Sequence, residues 1–218
     1  MHAQGAGAGP KKERAVSSQT TDDEIREKYL ERAIRELNDL GHDLASCPDC
    51  PRGNVMPVQG SGHPQADIMM LKHAATPAEI EEGVAFYGRA GNALMKSFKR
   101  LSIDPIVVFG TLCAKCPLTD PSHASSDCIS RVAEEIAIVQ PRIVVVMGPE
   151  ALDTLNDLEL PLADEIEPLE GEIQRLTPTV DALYVPDIDD SLDEVSAKQR
   201  FWSAFRVLGD WYDQLPPY

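Results

Sequence analysis

From Thr21 to Leu44 the apolar residues Ile25, Tyr29, Ala33, Leu37, Leu40 and Leu44 recur three or four positions apart, the spacing that lines one face of a helix. Thr21 followed by Glu24 has the pattern of a capping box, so an amphipathic helix is predicted to begin there. Four short apolar runs follow, Ala66–Leu71, Ile106–Leu112, Ile143–Met147 and Ala182–Val185, and none alternates cleanly with polar residues. Strands covered by helices on both faces read this way. Helical spacing returns between the runs, at Leu94, Phe98 and Leu101, at Ile129, Val132, Ile136 and Val139, and from Pro149 to Leu155, where proline suits a first turn. A last helix carries Phe201, Trp202, Phe205, Leu208 and Tyr212 and ends before Pro216. Strands alternating with helices predict an α/β fold, a three-layer α/β/α sandwich around a central four-stranded parallel sheet. Ligands of such sheets bind beyond the carboxyl ends of the strands. The loops after Leu71, Leu112, Met147 and Val185 are therefore the place to look for chemistry.

The 218 residues suit one domain, residues 21–218, preceded by a disordered tail of small residues over 1–20 with a basic cluster at Lys11, Lys12 and Arg14. No apolar run approaches the ~20 residues that span a bilayer, and nothing near the start resembles a signal peptide. No membrane partner and a cytoplasmic location are expected. Five cysteines are an odd number, better suited to metal ligands and free thiols than to a disulfide framework. The net charge of −16 argues against a strong grip on nucleic acid, which ordinarily requires a basic face. From Glu150 to Glu194 there are fifteen acidic residues and one basic residue, Arg175. Such a run is either a solvated surface or a face that repels phosphate and recruits a basic partner.

Cys47 and Cys50 form a C-x-x-C just after the first predicted helix, with Cys116 and Cys128 far along the chain. Cys113 and Cys116 make a second such pair. Four thiolates serve a tetrahedral zinc ion or a four-iron cluster equally well, so ligand count alone leaves both open. Cys113 closes an apolar run and reads as a small buried side chain.

The stretch Glu81–Gly91, EEGVAFYGRAG, the stretch Thr111–Leu118, TLCAKCPL, and the run PRIVVVMG ending at Gly148 together resemble the iron-sulfur family 4 uracil-DNA glycosylases. The likeness runs from Cys47 to Gly148. It implies a [4Fe-4S] cluster, with zinc as the alternative, on Cys47, Cys50, Cys116 and Cys128. It also implies that Phe86 is the ring on which a flipped base stacks, with Gly88 beside it.

The resemblance breaks at the family's reacting groups. Its GEAPG motif falls on Lys72-His73-Ala74-Ala75-Thr76, so His73 stands where a carboxylate is expected to orient water. The asparagine that reads the uracil edge falls on Leu112, which has neither donor nor acceptor, and loss of such a partner can cost about 10⁴ in discrimination. The family's HPS motif falls on Asp187-Ile188-Asp189, where negative charge would meet phosphates. His73 and Asp187 could act as a base and its orienting partner, or both could be drift in a site without chemistry. His63 reads as a turn residue.

These features lead to a cluster-bearing protein of glycosylase type with degenerate catalytic motifs. It would act through binding, to a protein partner in DNA metabolism, with nucleic-acid binding weak or absent. An active glycosylase or nucleoside hydrolase of changed specificity, using His73 and Asp187, is the alternative. A third reading makes the acidic stretch a decoy for DNA that occupies a basic partner.

Overall fold

Every residue of the run Ile143–Met147 is buried, Ile143, Val145 and Met147 toward one layer of helices and Val144 and Val146 toward the other. That is the burial of a strand at the centre of a parallel sheet. The computed structural model describes residues 11–215. Along them run α1 (Lys11–Ser46), β1 (Ser61–Gly62), β2 (Ile68–Ala74), α2 (Pro77–Glu82), α3 (Arg89–Arg100), β3 (Val108–Ala114), α4 (Ser126–Val139), β4 (Ile143–Met147), α5 (Pro149–Asp157), β5 (Ile173–Thr177), β6 (Val180–Val185), α6 (Ile188–Ser191) and α7 (Val195–Tyr212).

The strands form one sheet in the order β1-β3-β2-β4-β6-β5. The four predicted strands are its parallel centre. Two antiparallel edge strands, β1 against β3 and β5 against β6, were not predicted, so the sheet is mixed and six-stranded. Neither edge strand has a readable pattern: β1 is two residues long, and β5 carries Gln174 and Arg175 on a largely uncovered edge, where polar side chains discourage further pairing. Leu37 of α1, with α4 and α5, packs on one face, and α3, α6 and α7 pack on the other, which makes the three layers.

Two boundaries differ from expectation for local reasons. Helix α1 begins at Lys11, not at Thr21, because residues 11–20 contain neither proline nor glycine and nothing in them stops a helix. Of the tail expected over residues 1–20, residues 1–10 lie outside the described residues. Strand β3 starts two residues late because Asp104 caps a single 3₁₀ turn over Pro105–Val107, accepting from the Ile106 amide at 3.0 Å. Among the described residues no helix is long and apolar enough to cross a membrane.

One polar cluster joins β3 to α4. Lys115, 1% exposed, donates to Glu135 Oε2 at 2.7 Å, to Thr111 Oγ1 at 2.7 Å and to the Leu112 carbonyl at 2.9 Å. All three ammonium protons have acceptors, which is the condition for tolerating a buried charge. Lys115→Met should cost about 3–5 kcal/mol because it strands the Glu135 carboxylate. The double variant K115M/E135L should recover most of that loss, as read by urea denaturation; equal losses in the two variants would mean the charge pair is not what couples the strand to the helix.

Candidate functional site

The end of α1 and the start of α4 bring three cysteines together. Cys50, Cys116 and Cys128 are buried, and their sulfur atoms lie within 4.8 Å of one another. Ser125 positions the group: its hydroxyl caps α4 by accepting from the Cys128 amide at 3.1 Å, and its Oγ lies 3.7 Å from Cys50 Sγ. Arg52 clamps the loop, donating to the carbonyls of Ala45 at 2.6 Å, Cys47 at 3.3 Å and Val55 at 2.7 Å. Cys47, half-buried, directs its thiol to the Asp49 carboxylate at 3.1 Å, so three of the four expected thiols converge and the fourth, three positions before Cys50 in the same loop, is turned to Asp49. Cys113 is fully buried in the main apolar core with no role in this group, as its place in the strand suggested.

The thiols' acidity reflects their crowding. Burial pushes Cys50 up, but hydrogen bonds from the backbone and hydroxyl of Ser125, and from Cys116 and Cys128, outweigh it and bring the thiol below its ordinary value. Cys116 is pushed up to about 12 by burial and by the neighbouring Cys128 and Cys50. Three thiols this close cannot all ionise unless a positive centre is shared among them, so the donor set fits a thiolate-bound metal or cluster.

A second polar cluster lies at the carboxyl end of the sheet. Leu112 of β3, Lys72 of β2, Met147 of β4 and Val185 of β6 stand in register across it. Lys72 is 1% exposed and its ammonium donates to Glu79 Oε2 at 2.8 Å and to Asp189 Oδ2 at 2.6 Å. Glu79, wholly buried in α2, also accepts from the Thr76 amide at 2.7 Å and hydroxyl at 2.9 Å, and from the Phe86 amide at 2.5 Å. That last bond holds Phe86 at a positive φ of 59°. Its ring packs on Gly110, where a Cβ would come within 2.5 Å of Cδ2, and the Lys72 ammonium lies 5.5 Å from the ring centroid.

Phe86 and Gly88 line one cleft of about 520 Å³, together with Tyr87, Asn92 and Met95. Leu112 does not reach it and packs under Val58 and Ala85. Asp187 lines a different cleft of about 640 Å³ with Asp189, Glu170 and Tyr184. Its carboxylate caps α6, accepting from the amides of Asp189 at 2.7 Å and Asp190 at 3.3 Å. Burial, only partly offset by the Asp189 amide, raises the Asp187 pKa above the usual carboxylate range. His73 lines neither cleft; strand alternation points it to the face opposite Lys72, and its buried Nδ1 has no hydrogen-bond partner. No hydrogen bond joins His73 to Asp187.

Sequence reasoning missed Lys72, Glu79 and Asp189 as a unit, and missed Ser125 and Arg52 beside the cysteines. The available signals were a lysine at the end of the apolar run IMMLK and the pattern Thr76-x-x-Glu79, itself a capping box.

Comparison with known proteins bears on both clusters. The family model described as Uracil DNA glycosylase superfamily matches residues 59–204. The chain is also 26% identical over 147 residues to the type-4 uracil-DNA glycosylase of Pyrobaculum aerophilum, covering 63% of this chain and 73% of that protein. The family match takes in all six strands, both clefts and two of the three converging cysteines. On that match the chain belongs to the uracil-DNA glycosylase superfamily.

Proposed function

We propose that this chain is a glycosylase-fold protein that binds rather than cleaves, acting in the cytoplasm through a protein partner in DNA metabolism. The observation that carries this reading is the buried cluster of Lys72, Glu79 and Asp189 beside Phe86. Lys72 replaces the first glycine of the family's GEAPG motif and Asp189 lies in the segment replacing HPS, so two departures from the family pattern meet as one ion pair. A base stacking on Phe86 gains about 1–3 kcal/mol. A base that took the Lys72 side of the ring would displace Lys72 and strand Glu79, at a cost of about 3–5 kcal/mol. On that side of the ring the charged cluster wins over the base.

Cys50, Cys116 and Cys128, completed by Cys47, would hold a [4Fe-4S] cluster, with zinc the alternative ion for the same thiolates. When bound, the group would supply the positive charge that the four thiolates lack. The residues around it tie the end of α1 to the start of α4, which suits a structural role.

A second reading rests on His73. A buried ring nitrogen without a partner costs about 1–3 kcal/mol, and groups left so are candidates for chemistry. In that reading the protein is a glycosylase or nucleoside hydrolase of changed specificity, with His73 as base and Asp187 moving from its helix cap to orient it.

Anaerobically purified protein is expected to contain iron and sulfide, and to leave uracil-containing single-stranded DNA free of abasic sites. Cys128→Ser should lose the iron. Zinc in place of iron would overturn the cluster assignment, and cleavage abolished by His73→Ala would establish the second reading instead.

Asp189→Ala should destabilise the chain by about 1–3 kcal/mol, since one of the two carboxylates on a buried ammonium is removed. It should also raise hydrogen exchange in residues 187–194. Unchanged exchange there would mean that the loop is held by something other than Lys72.

Asp187 supplies a pH test. Its raised folded-state pKa means the ionised form weakens the fold above that pKa, and the penalty vanishes as pH falls below the unfolded value. Asparagine caps a helix as well as aspartate does. Asp187→Asn should therefore be more stable than the parent at pH 8 and equal to it near pH 3, by thermal denaturation. A variant less stable at pH 8 would show that the negative charge itself is needed there.

A further inference from the structure

The charge of this protein is uneven in a second way. Helix α3 carries Arg89, Lys96, Lys99 and Arg100 and no acidic residue, in a chain of net charge −16. Between α3 and α7 runs a groove of about 690 Å³, and no carboxylate lines it. Its basic members are Arg89, Lys96, Arg100 and Lys198. Arg89 is paired with Asp193, but Lys96, Arg100 and Lys198 form no ion pair among the described residues. Apolar residues share the lining: Leu192, Trp202 and Val195, the last 75% exposed. Arg100 lies 5.5 Å from the Trp202 ring.

We propose that this groove docks an acidic segment of a partner protein, with apolar side chains on Val195, Leu192 and Trp202 and carboxylates on Lys96, Arg100 and Lys198. Charge complementarity makes the choice. On a surface this acidic, an unpaired basic strip draws a polyanion, and this one offers three unpaired cations, Lys96, Arg100 and Lys198. A nucleic-acid strand is the poorer fit. Single strands bind by stacking successive bases on open aromatic faces, whereas the exposed apolar surface here is aliphatic and Trp202 is the one partly exposed ring lining the groove. Asp190, Asp193 and Glu194 are chain neighbours of Ser191, Leu192 and Val195, which line the groove, and charges so placed repel a continuous phosphate backbone over roughly 10 Å. A peptide can set its carboxylates along the basic strip and keep its remaining residues neutral.

The inference rests on the binding reading above only in making the partner a protein, because the groove shares no residue with the Lys72 cluster or the cysteines. The probe is a fluorescein-labelled peptide of about 14 residues with glutamates interleaved with leucine and tryptophan, followed by anisotropy against the full chain. Binding is expected at micromolar concentration, weakening with salt. It should fall by roughly tenfold or more, about 1.4 kcal/mol, in Lys96→Glu/Lys198→Glu. A Lys28→Glu control on α1, whose charge lies outside the groove, should bind as the parent does. Val195→Asp tests the apolar floor separately, and circular dichroism confirms that each variant is folded. No peptide binding, or binding indifferent to the Lys96 and Lys198 reversal, overturns the proposal. So does tighter binding of oligo-dT lost through the same reversal, which would assign the groove to nucleic acid. Uracil cleavage by the parent protein would sink the non-catalytic reading and leave the groove result standing, so the two failures are distinguishable.

Discussion

An ammonium group that is 1% exposed sets the terms for the carboxyl end of this sheet. The charge of Lys72 cannot remain buried without carboxylates close by, because desolvating it alone costs several kcal/mol. Glu79 comes from the helix after β2 and Asp189 from the one after β6. Glu79 in turn takes the amides of Thr76 and Phe86, so one lysine fixes the turn after β2, the backbone of Phe86 and the acidic loop. Lys115, just past the end of β3, repeats the arrangement with Glu135 of α4. Two buried lysines thus tie the helices and loops around the sheet, each by a partner that would be stranded without it.

The architecture was legible because its signals are local and repeated. Runs such as IVVVM are apolar at consecutive positions, and only burial on both faces accounts for that. The edges were not legible for the same reason: Ser61–Gly62 is too short to carry a period, and Ile173–Thr177 is partly exposed and polar. The beginning of α1 was misplaced because a capping box in the sequence marks a helix start only if the chain before it cannot stay helical, and residues 11–20 can.

At the site, the convergence of Cys50, Cys116 and Cys128 could be read because paired and repeated cysteines announce themselves by residue type and spacing. Three of them converge, and the conformation of Cys47, whose thiol turns to Asp49, could not follow from sequence. Phe86 and Gly88 line one cleft. That Leu112 is packed away from that cleft, and that His73 lies on the far face of β2, could not be read from the sequence, since both depend on where β2 and β3 end. The Lys72 cluster was the least visible feature. Its members are separated by up to 117 positions, and a lone lysine after an apolar run normally marks the point where a strand reaches water.

The two charges that meet in this cluster constrain each other. A lysine at position 72 without Asp189 would leave a buried ammonium with one carboxylate already shared among backbone and hydroxyl donors. Asp189 without Lys72 would put another negative charge in a loop that already holds Asp187, Asp190, Asp193 and Glu194. Together they neutralise part of that repulsion and fill the space beside Phe86. The acidic stretch is therefore not a uniform free surface: Asp189 is turned inward, and Asp181 and Glu170 are bound to Arg175 and Arg200. What remains exposed on that side repels phosphate, while the strip on α3 is left free of carboxylates. Polyanions approaching this molecule are turned away from the acidic loop and drawn to the α3 side.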